Sequence, residues 1–114
     1  MTCLEYIPER GDAVRFAWND KVGRNQLGLD KALVLTPSSY NEKVGLALFC
    51  PITDRVKGYP FEVPIPENME VKGVVLSDDV KSMDWRALKA ELICRLPETT
   101  VAEVLQKVAV LLSK

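Results

Sequence analysis

Short apolar stretches, each stopped by a proline or a polar turn, fill the first eighty residues of the chain. Proline lacks a backbone N–H and breaks helices, so this pattern favours short strands. Val14, Phe16 and Trp18 alternate with other residues in a first predicted strand, which ends near Trp18. Four more strands are predicted at residues 32–35, 44–50, 61–65 and 73–76. Pro64 and Pro66, in and after the stretch at 61–65, suit a strand at the edge of a sheet.

Polar segments separate the predicted strands. Residues 19–29 and 53–60 are predicted to be loops, and residues 38–41 are predicted to form a turn that follows Pro37. Residues 87–96 fit a helix or a strand equally well.

The C-terminal segment has the spacing of an amphipathic helix. Its apolar residues follow the i, i+3, i+4, i+7 pattern of one helical face; they are Val101, Val104, Leu105, Val108, Leu111 and Leu112. Pro97 suits the first turn, but Thr100 with Glu103 also fits a capping box one turn later. The pattern therefore predicts one mainly β domain over residues 1–114, a small barrel closed by a C-terminal helix.

Composition limits the chemistry that the chain can perform. The 114 residues carry a net charge of −1 and include no histidine, which removes imidazole as a general base or metal ligand. This charge argues mildly against a broad nucleic-acid surface, although a local basic groove is compatible with it. The three cysteines, Cys3, Cys50 and Cys94, lack metal-ligand spacing, so we predict no metal and no cofactor.

The N-terminal segment and the apolar stretches bear on where the protein acts. Residues 1–12 carry acidic side chains and no apolar core, unlike a signal peptide. The longest apolar stretch, residues 44–52, contains a proline and is too short to cross a bilayer. We therefore expect a cytoplasmic protein without a membrane partner.

Four strings in order along the chain resemble the MazF/PemK toxin family. They are YIPERGD at residues 6–12, ALVLTP at 32–37 followed by Tyr40 and Asn41, CPIT at 50–53 with KGYPFEV at 57–63, and VKSMDWRA at 80–87. The resemblance implies an SH3-like small barrel that acts as a homodimer. It also implies a type II toxin that cleaves single-stranded mRNA at short sequences by metal-independent attack of the 2′-hydroxyl, and that a cognate antitoxin protein blocks.

The same resemblance implies the catalytic residues. The family places a threonine after the third strand, where Thr53 stands, and an arginine before the second strand. Here Asp30 occupies the arginine position and Lys31 follows it in place of a proline. An aspartate would repel the charge that develops on the phosphate, so Lys31 or Arg24 would have to supply the cation. A one-residue shift along a strand normally turns a side chain to the opposite face, which argues against Lys31.

Further side chains are candidates for contacting the RNA. The substrate-binding candidates are Arg24, Asn25, Gln26, Arg55, Lys57, Asp78 and Lys81. The cations would contact phosphates, and Gln26 would read a base edge. Arg55 and Lys57 are equally consistent with solvated loop positions, and Thr53 is also consistent with a simple turn cap. Trp18 is consistent with stacking on a base or with packing in the core.

Three functions remain open from the sequence. The first is an endoribonuclease toxin. The second is a catalytically impaired homologue, with Asp30 in place of the arginine, that binds RNA or antitoxin without efficient cleavage. The third is a gyrase-directed toxin on the same fold, which the absence of an aromatic residue at the C-terminal end disfavours.

Overall fold

An antiparallel sheet followed by a C-terminal helix makes up the fold of the computed structural model, which describes residues 6–16 and 30–113. Within these residues the strands are β1 (Asp12–Phe16), β2 (Lys31–Val34), β3 (Ala47–Thr53), β4 (Glu62–Pro64), β5 (Val74–Leu76), β6 (Lys81–Met83) and β7 (Ala90–Arg95). The helices are α1 (Ser38–Val44), between β2 and β3, and α2 (Glu98–Leu112), after β7. The fold class predicted from the sequence is therefore confirmed.

Strand β3 lies at the centre of the sheet. The strand order is β4-β5-β3-β2-β1-β7, and β6 also pairs with β3. One side of β3 pairs with β2, with Ala32 opposite Pro51. On the other side, residues 47–49 pair with β6 and residues 52–53 pair with β5. The end of β3 therefore lies beside the beginning of β2, which positions the site described below.

The core has two layers, one on each face of the central strands. Leu33 and Cys50 belong to the layer that packs under α2, together with Val101 and Val104. Val34 and Phe49 belong to the opposite layer, which also contains Phe16 and Trp85. Neighbouring residues enter different layers because successive side chains of a strand point to opposite faces. This two-sided burial explains why residues 32–34 of β2 are continuously apolar.

A buried asparagine connects α1 with the segments around it. The side-chain amide of Asn41 donates to the Pro8 carbonyl at 2.7 Å and to the Thr36 carbonyl at 2.9 Å. The Thr36 hydroxyl donates to Asn41 Oδ1 at 2.6 Å, and Trp85 Nε1 donates to the Asn41 carbonyl at 3.1 Å. Asn41 is fully buried, and its side chain is satisfied at both the donor and the acceptor end.

Two predicted boundaries are wrong. Residues 38–41, predicted as a turn, begin helix α1, which ends where Gly45 adopts a φ of +82°. The third strand was predicted over residues 44–50 and ended by Pro51, but it begins at Ala47 and runs through Pro51 to Thr53. Pro51 lies between the residues paired with β6 and those paired with β5, and on its other side it stands opposite Ala32 of β2.

Other elements agree with the sequence or resolve its ambiguities. The stretch at 87–96 contains strand β7, and α2 begins directly after Pro97. Strand β4 lies at a sheet edge, as its prolines predicted. Strand β6 was not predicted. No helix in the described part of the chain is long and apolar enough to cross a membrane.

Candidate functional site

A polar groove of about 660 Å³ lies where β2 begins and β3 ends. Its lining residues are Asp30, Lys31, Pro51, Ile52, Thr53, Asp54, Arg55, Glu70, Lys72, Leu76 and Asp79. Asp30, Lys31 and Thr53, the predicted catalytic residues, therefore share one groove with Arg55. Lys31 lines the groove together with Asp30, although adjacent residues of a strand normally point to opposite faces; Asp30 precedes β2 and so lies outside the strand.

Close backbone packing fixes the position of Thr53. Thr53 is the last residue of β3, and it pairs with Val74 of β5. The neighbouring Gly73 has a φ of +109°, and a Cβ atom built on it would lie 2.0 Å from the Thr53 carbonyl oxygen. Only glycine allows this approach, since it tolerates positive φ and carries no side chain. The wall of the groove behind Thr53 is therefore backbone packed on backbone.

The Thr53 hydroxyl has a defined orientation. Its Oγ1 accepts the backbone N–H of Arg55 at 3.1 Å. A hydroxyl that accepts one hydrogen bond keeps its own O–H to donate elsewhere. Thr53 therefore caps the turn, which was the alternative role considered from the sequence. Its O–H is still able to donate a hydrogen bond into the groove.

Charges of both signs line the groove. The cations are Lys31, Arg55 and Lys72, and the carboxylates are Asp30, Asp54, Glu70 and Asp79. The groove therefore offers cations for phosphate oxygens beside acceptors for protons and base amino groups. Glu70 and Lys72 were not predicted from the sequence. They enter from the segment between β4 and β5, and no motif or periodicity marks them.

Three other predicted binding residues that the structure describes do not line this groove; they are Lys57, Asp78 and Lys81. Lys81 Nζ lies 2.5 Å from Oδ1 of Asp79. Lys81 therefore forms a salt bridge with a carboxylate of the groove although it does not line the groove itself. Asp78 is exposed, and Lys57 Nζ lies 5.9 Å from the centroid of the Tyr59 ring. Arg24, Asn25, Gln26 and Trp18 lie outside the described residues.

The thiols in the described part of the chain are not placed for chemistry. Cys50 is buried in the core, and burial raises the pKa of its thiol to about 12. Burial also raises the pKa of Cys94. Both therefore stay protonated near neutral pH and are poor nucleophiles. Among residues 6–16 and 30–113, no group of three or more His, Cys, Asp or Glu side chains could hold a metal ion.

A second groove, of about 390 Å³, lies at the start of α2, and its charged residues have structural partners. Arg10 Nε donates to the Leu35 carbonyl at 2.7 Å, and Arg95 Nη1 donates to Asp12 Oδ1 at 2.9 Å. Glu9 accepts the backbone N–H of Ser38 at 2.7 Å, and this hydrogen bond lowers the pKa of Glu9. These side chains hold the N-terminal segment against the sheet, so the Thr53 groove is the better candidate for chemistry.

Comparison with known proteins gives a consistent result. Residues 9–112 match the family model described as PemK-like, MazF-like toxin of type II toxin-antitoxin system. The endoribonuclease toxin MazF of Escherichia coli is 44% identical over 82 residues, which are 72% of this chain and 73% of that protein. The chain therefore belongs to the PemK-like, MazF-like family of toxins from type II toxin–antitoxin systems.

Solved structures agree with this membership. A MazF crystal structure from Deinococcus radiodurans has a TM-score of 0.84 at 44% identity, and the match covers 95% of this chain and 98% of that one. A MazE-MazF crystal structure from the same organism also has a TM-score of 0.84, at 43% identity, and covers 96% and 98% of the two chains.

Proposed function

We propose that this toxin is a sequence-specific endoribonuclease that cleaves single-stranded mRNA in the Thr53 groove. The observation that carries the proposal is the Thr53 hydroxyl, oriented by the Arg55 N–H and flanked by cations. The similarity to the E. coli protein named endoribonuclease toxin MazF supports the same activity.

The chemistry assigns a role to each kind of group in the groove. The 2′-hydroxyl of the RNA attacks the adjacent phosphorus and loses its proton, while the 5′-oxygen leaves and gains one. The Thr53 O–H donates to a non-bridging phosphate oxygen, and Lys31, Arg55 and Lys72 supply positive charge. Because no histidine is available, the groove carboxylates accept the 2′-hydroxyl proton, and the leaving 5′-oxygen takes its proton from water. The products are a 2′,3′-cyclic phosphate and a 5′-hydroxyl.

This chemistry needs no metal, so the purified protein is expected to cleave a diverse single-stranded RNA pool in the presence of EDTA. Mapping the product ends should identify a cyclic phosphate and a 5′-hydroxyl at a short recurring sequence. An oligonucleotide with a 2′-deoxy sugar at the cleaved position is the control and should stay intact, because its nucleophile is missing. An RNA pool that remains whole at large protein excess would refute the proposal.

Asp30 is the departure from the family pattern. Its replacement tests whether this position corresponds to the arginine of the family. We expect Asp30→Arg to raise cleavage about tenfold, because a bidentate cation replaces a repelling carboxylate at the edge of the groove. Single-turnover rates on one cleavable oligonucleotide give the measurement. Glu42→Arg makes the same charge change on α1, outside the groove, and should leave the rate unchanged.

The same cleavage assay, run beside an RNA-binding measurement, tests the second candidate function, a catalytically impaired homologue. That interpretation applies if the wild-type chain binds RNA without turnover. If the arginine gives no gain, either the alignment or the role assigned to this position is wrong.

The family also suggests protein partners. Because the D. radiodurans structures include MazE-MazF complexes, we infer that this chain binds a cognate antitoxin. The family resemblance further supports a homodimer as the active form.

A toxin that acts on mRNA and binds a protein antitoxin would work in the cytoplasm.

A further inference from the structure

We infer that Glu62 is a positioning residue, whose buried carboxylate holds the 54–61 loop, the segment between β3 and β4, so that Arg55 stays in the groove. The inference deepens the proposed function and rests on it for its effect on RNA. Glu62 is the first residue of β4 and does not line the groove, so it would act only through the loop.

The carboxylate of Glu62 accepts backbone N–H groups from the middle of the loop. Oε2 accepts the N–H of Lys57 at 3.0 Å, and Oε1 accepts the N–H of Gly58 at 3.0 Å and lies 3.3 Å from the Lys57 nitrogen. The Glu62 residue is only 8% exposed. A buried carboxylate is tolerated only when hydrogen-bond donors satisfy it, so the loop and the carboxylate stabilise each other.

The loop closes tightly around this carboxylate. The Glu62 N–H donates back to the Tyr59 carbonyl at 3.1 Å. Gly58 adopts a φ of +86°, which glycine reaches at little cost. Lys107 Nζ on α2 donates to the Pro60 carbonyl at 2.7 Å, and the Ser77 N–H donates to the Phe61 carbonyl at 3.0 Å. The far half of the loop is therefore bound to β4, to α2 and to the residue that directly follows β5.

Arg55 lies between two fixed points of the backbone. On one side, its own N–H is bonded to Thr53 Oγ1. On the other side, two residues further along, the Lys57 N–H is bonded to Glu62. The Arg55 side chain is exposed and lines the groove. Fixing its backbone before RNA binds lowers the entropy lost when the guanidinium engages a phosphate.

A double-mutant cycle tests whether Glu62 acts through Arg55. Glu62→Gln keeps the shape but turns one acceptor oxygen into an NH₂ donor that faces backbone donors. We expect kcat/KM for RNA cleavage to fall about tenfold in Glu62→Gln, and further in Glu62→Ala. In an Arg55→Ala background, Glu62→Gln should cost less than twofold, because the group that it positions is already gone. Glu67→Gln, the same change at an exposed position, should have no effect in either background.

Amide hydrogen exchange gives a second readout that needs no activity. Glu62→Gln should accelerate exchange of the Lys57 and Gly58 amides at least tenfold, while the amides of β3 keep their protection. Equal losses of kcat/KM in both backgrounds, or faster exchange across the whole sheet, would make Glu62 a purely structural residue and overturn the inference.

The two measurements separate the failure of this inference from the failure of the proposed function. If the wild-type chain neither binds nor cleaves RNA, the proposed function fails together with the effect on RNA. The exchange rates of the two loop amides then decide alone whether Glu62 holds the loop.

Discussion

Removing the Thr53 hydroxyl is expected to lower the cleavage rate about 10²–10³-fold, the usual loss when one donor to a developing oxyanion is deleted. The variant is Thr53→Ala. In the wild-type chain, Thr53 Oγ1 accepts one partly solvated backbone N–H among the described residues, so the free energy of unfolding should fall by no more than about 1 kcal/mol. Single-turnover cleavage of one oligonucleotide, with thermal unfolding beside it, separates the two effects.

Two further variants make the Thr53 result specific. Thr53→Ser retains the hydroxyl and should keep the rate within about tenfold of wild type. Thr99→Ala removes a threonine hydroxyl from α2, outside the groove, and should leave the rate unchanged. An alanine variant that cleaves as fast as the wild-type chain would remove Thr53 from the mechanism.

The second large effect is expected from Gly73→Ala, which should lower the free energy of unfolding by about 3 kcal/mol or more. The new Cβ would lie 2.0 Å from the Thr53 carbonyl oxygen and 2.9 Å from Asp54 Cα, so the backbone behind the groove must move. Positive φ adds a further penalty for a residue with a side chain. Thermal unfolding should show a Tm lower by about 10 °C or more, and cleavage should fall because Thr53 is displaced.

Gly58→Ala is the matched control for this prediction. Gly58 also has positive φ, but apart from its chain neighbours no heavy atom of residues 6–16 and 30–113 lies within 4 Å of the point where its new Cβ would stand. It should therefore lose only the conformational term, about 1–2 kcal/mol. If both alanine variants are equally stable, the close approach of Gly73 to Thr53 has no energetic weight.

Much of the fold was predictable because its elements follow simple periods. The apolar stripe of α2 and the alternation in β1 each have one physical interpretation. Helix α1 has no such pattern, because it has no apolar stripe and its one buried residue is the polar Asn41. Strand β6 has three residues, of which only Met83 is buried, so it carries too little pattern to be recognised.

The site was predictable only in part, and for a different reason. Thr53, Asp30 and Lys31 were predicted because strings around them resemble a family, whereas their residue types alone favour no function. Glu70 and Lys72 join the groove because the segment before β5 packs against the end of β3. That contact joins residues far apart in the sequence, and local pattern gives no information about it.

The two-sided core affects how firmly the pairing register of β2 with β3 is set. In most strands, a shift of one residue would turn the apolar face towards solvent, and this penalty fixes the register with the neighbouring strand. Ala32, Leu33 and Val34 are all fully buried, so the apolar pattern of β2 penalises such a slide only weakly. The short connection through α1, locked by the hydrogen bonds of Asn41 to Thr36 and Pro8, must supply the missing constraint. A slide of one residue would carry Lys31 about 3.3 Å past Thr53, so a buried amide outside the groove sets the spacing of the groups within it.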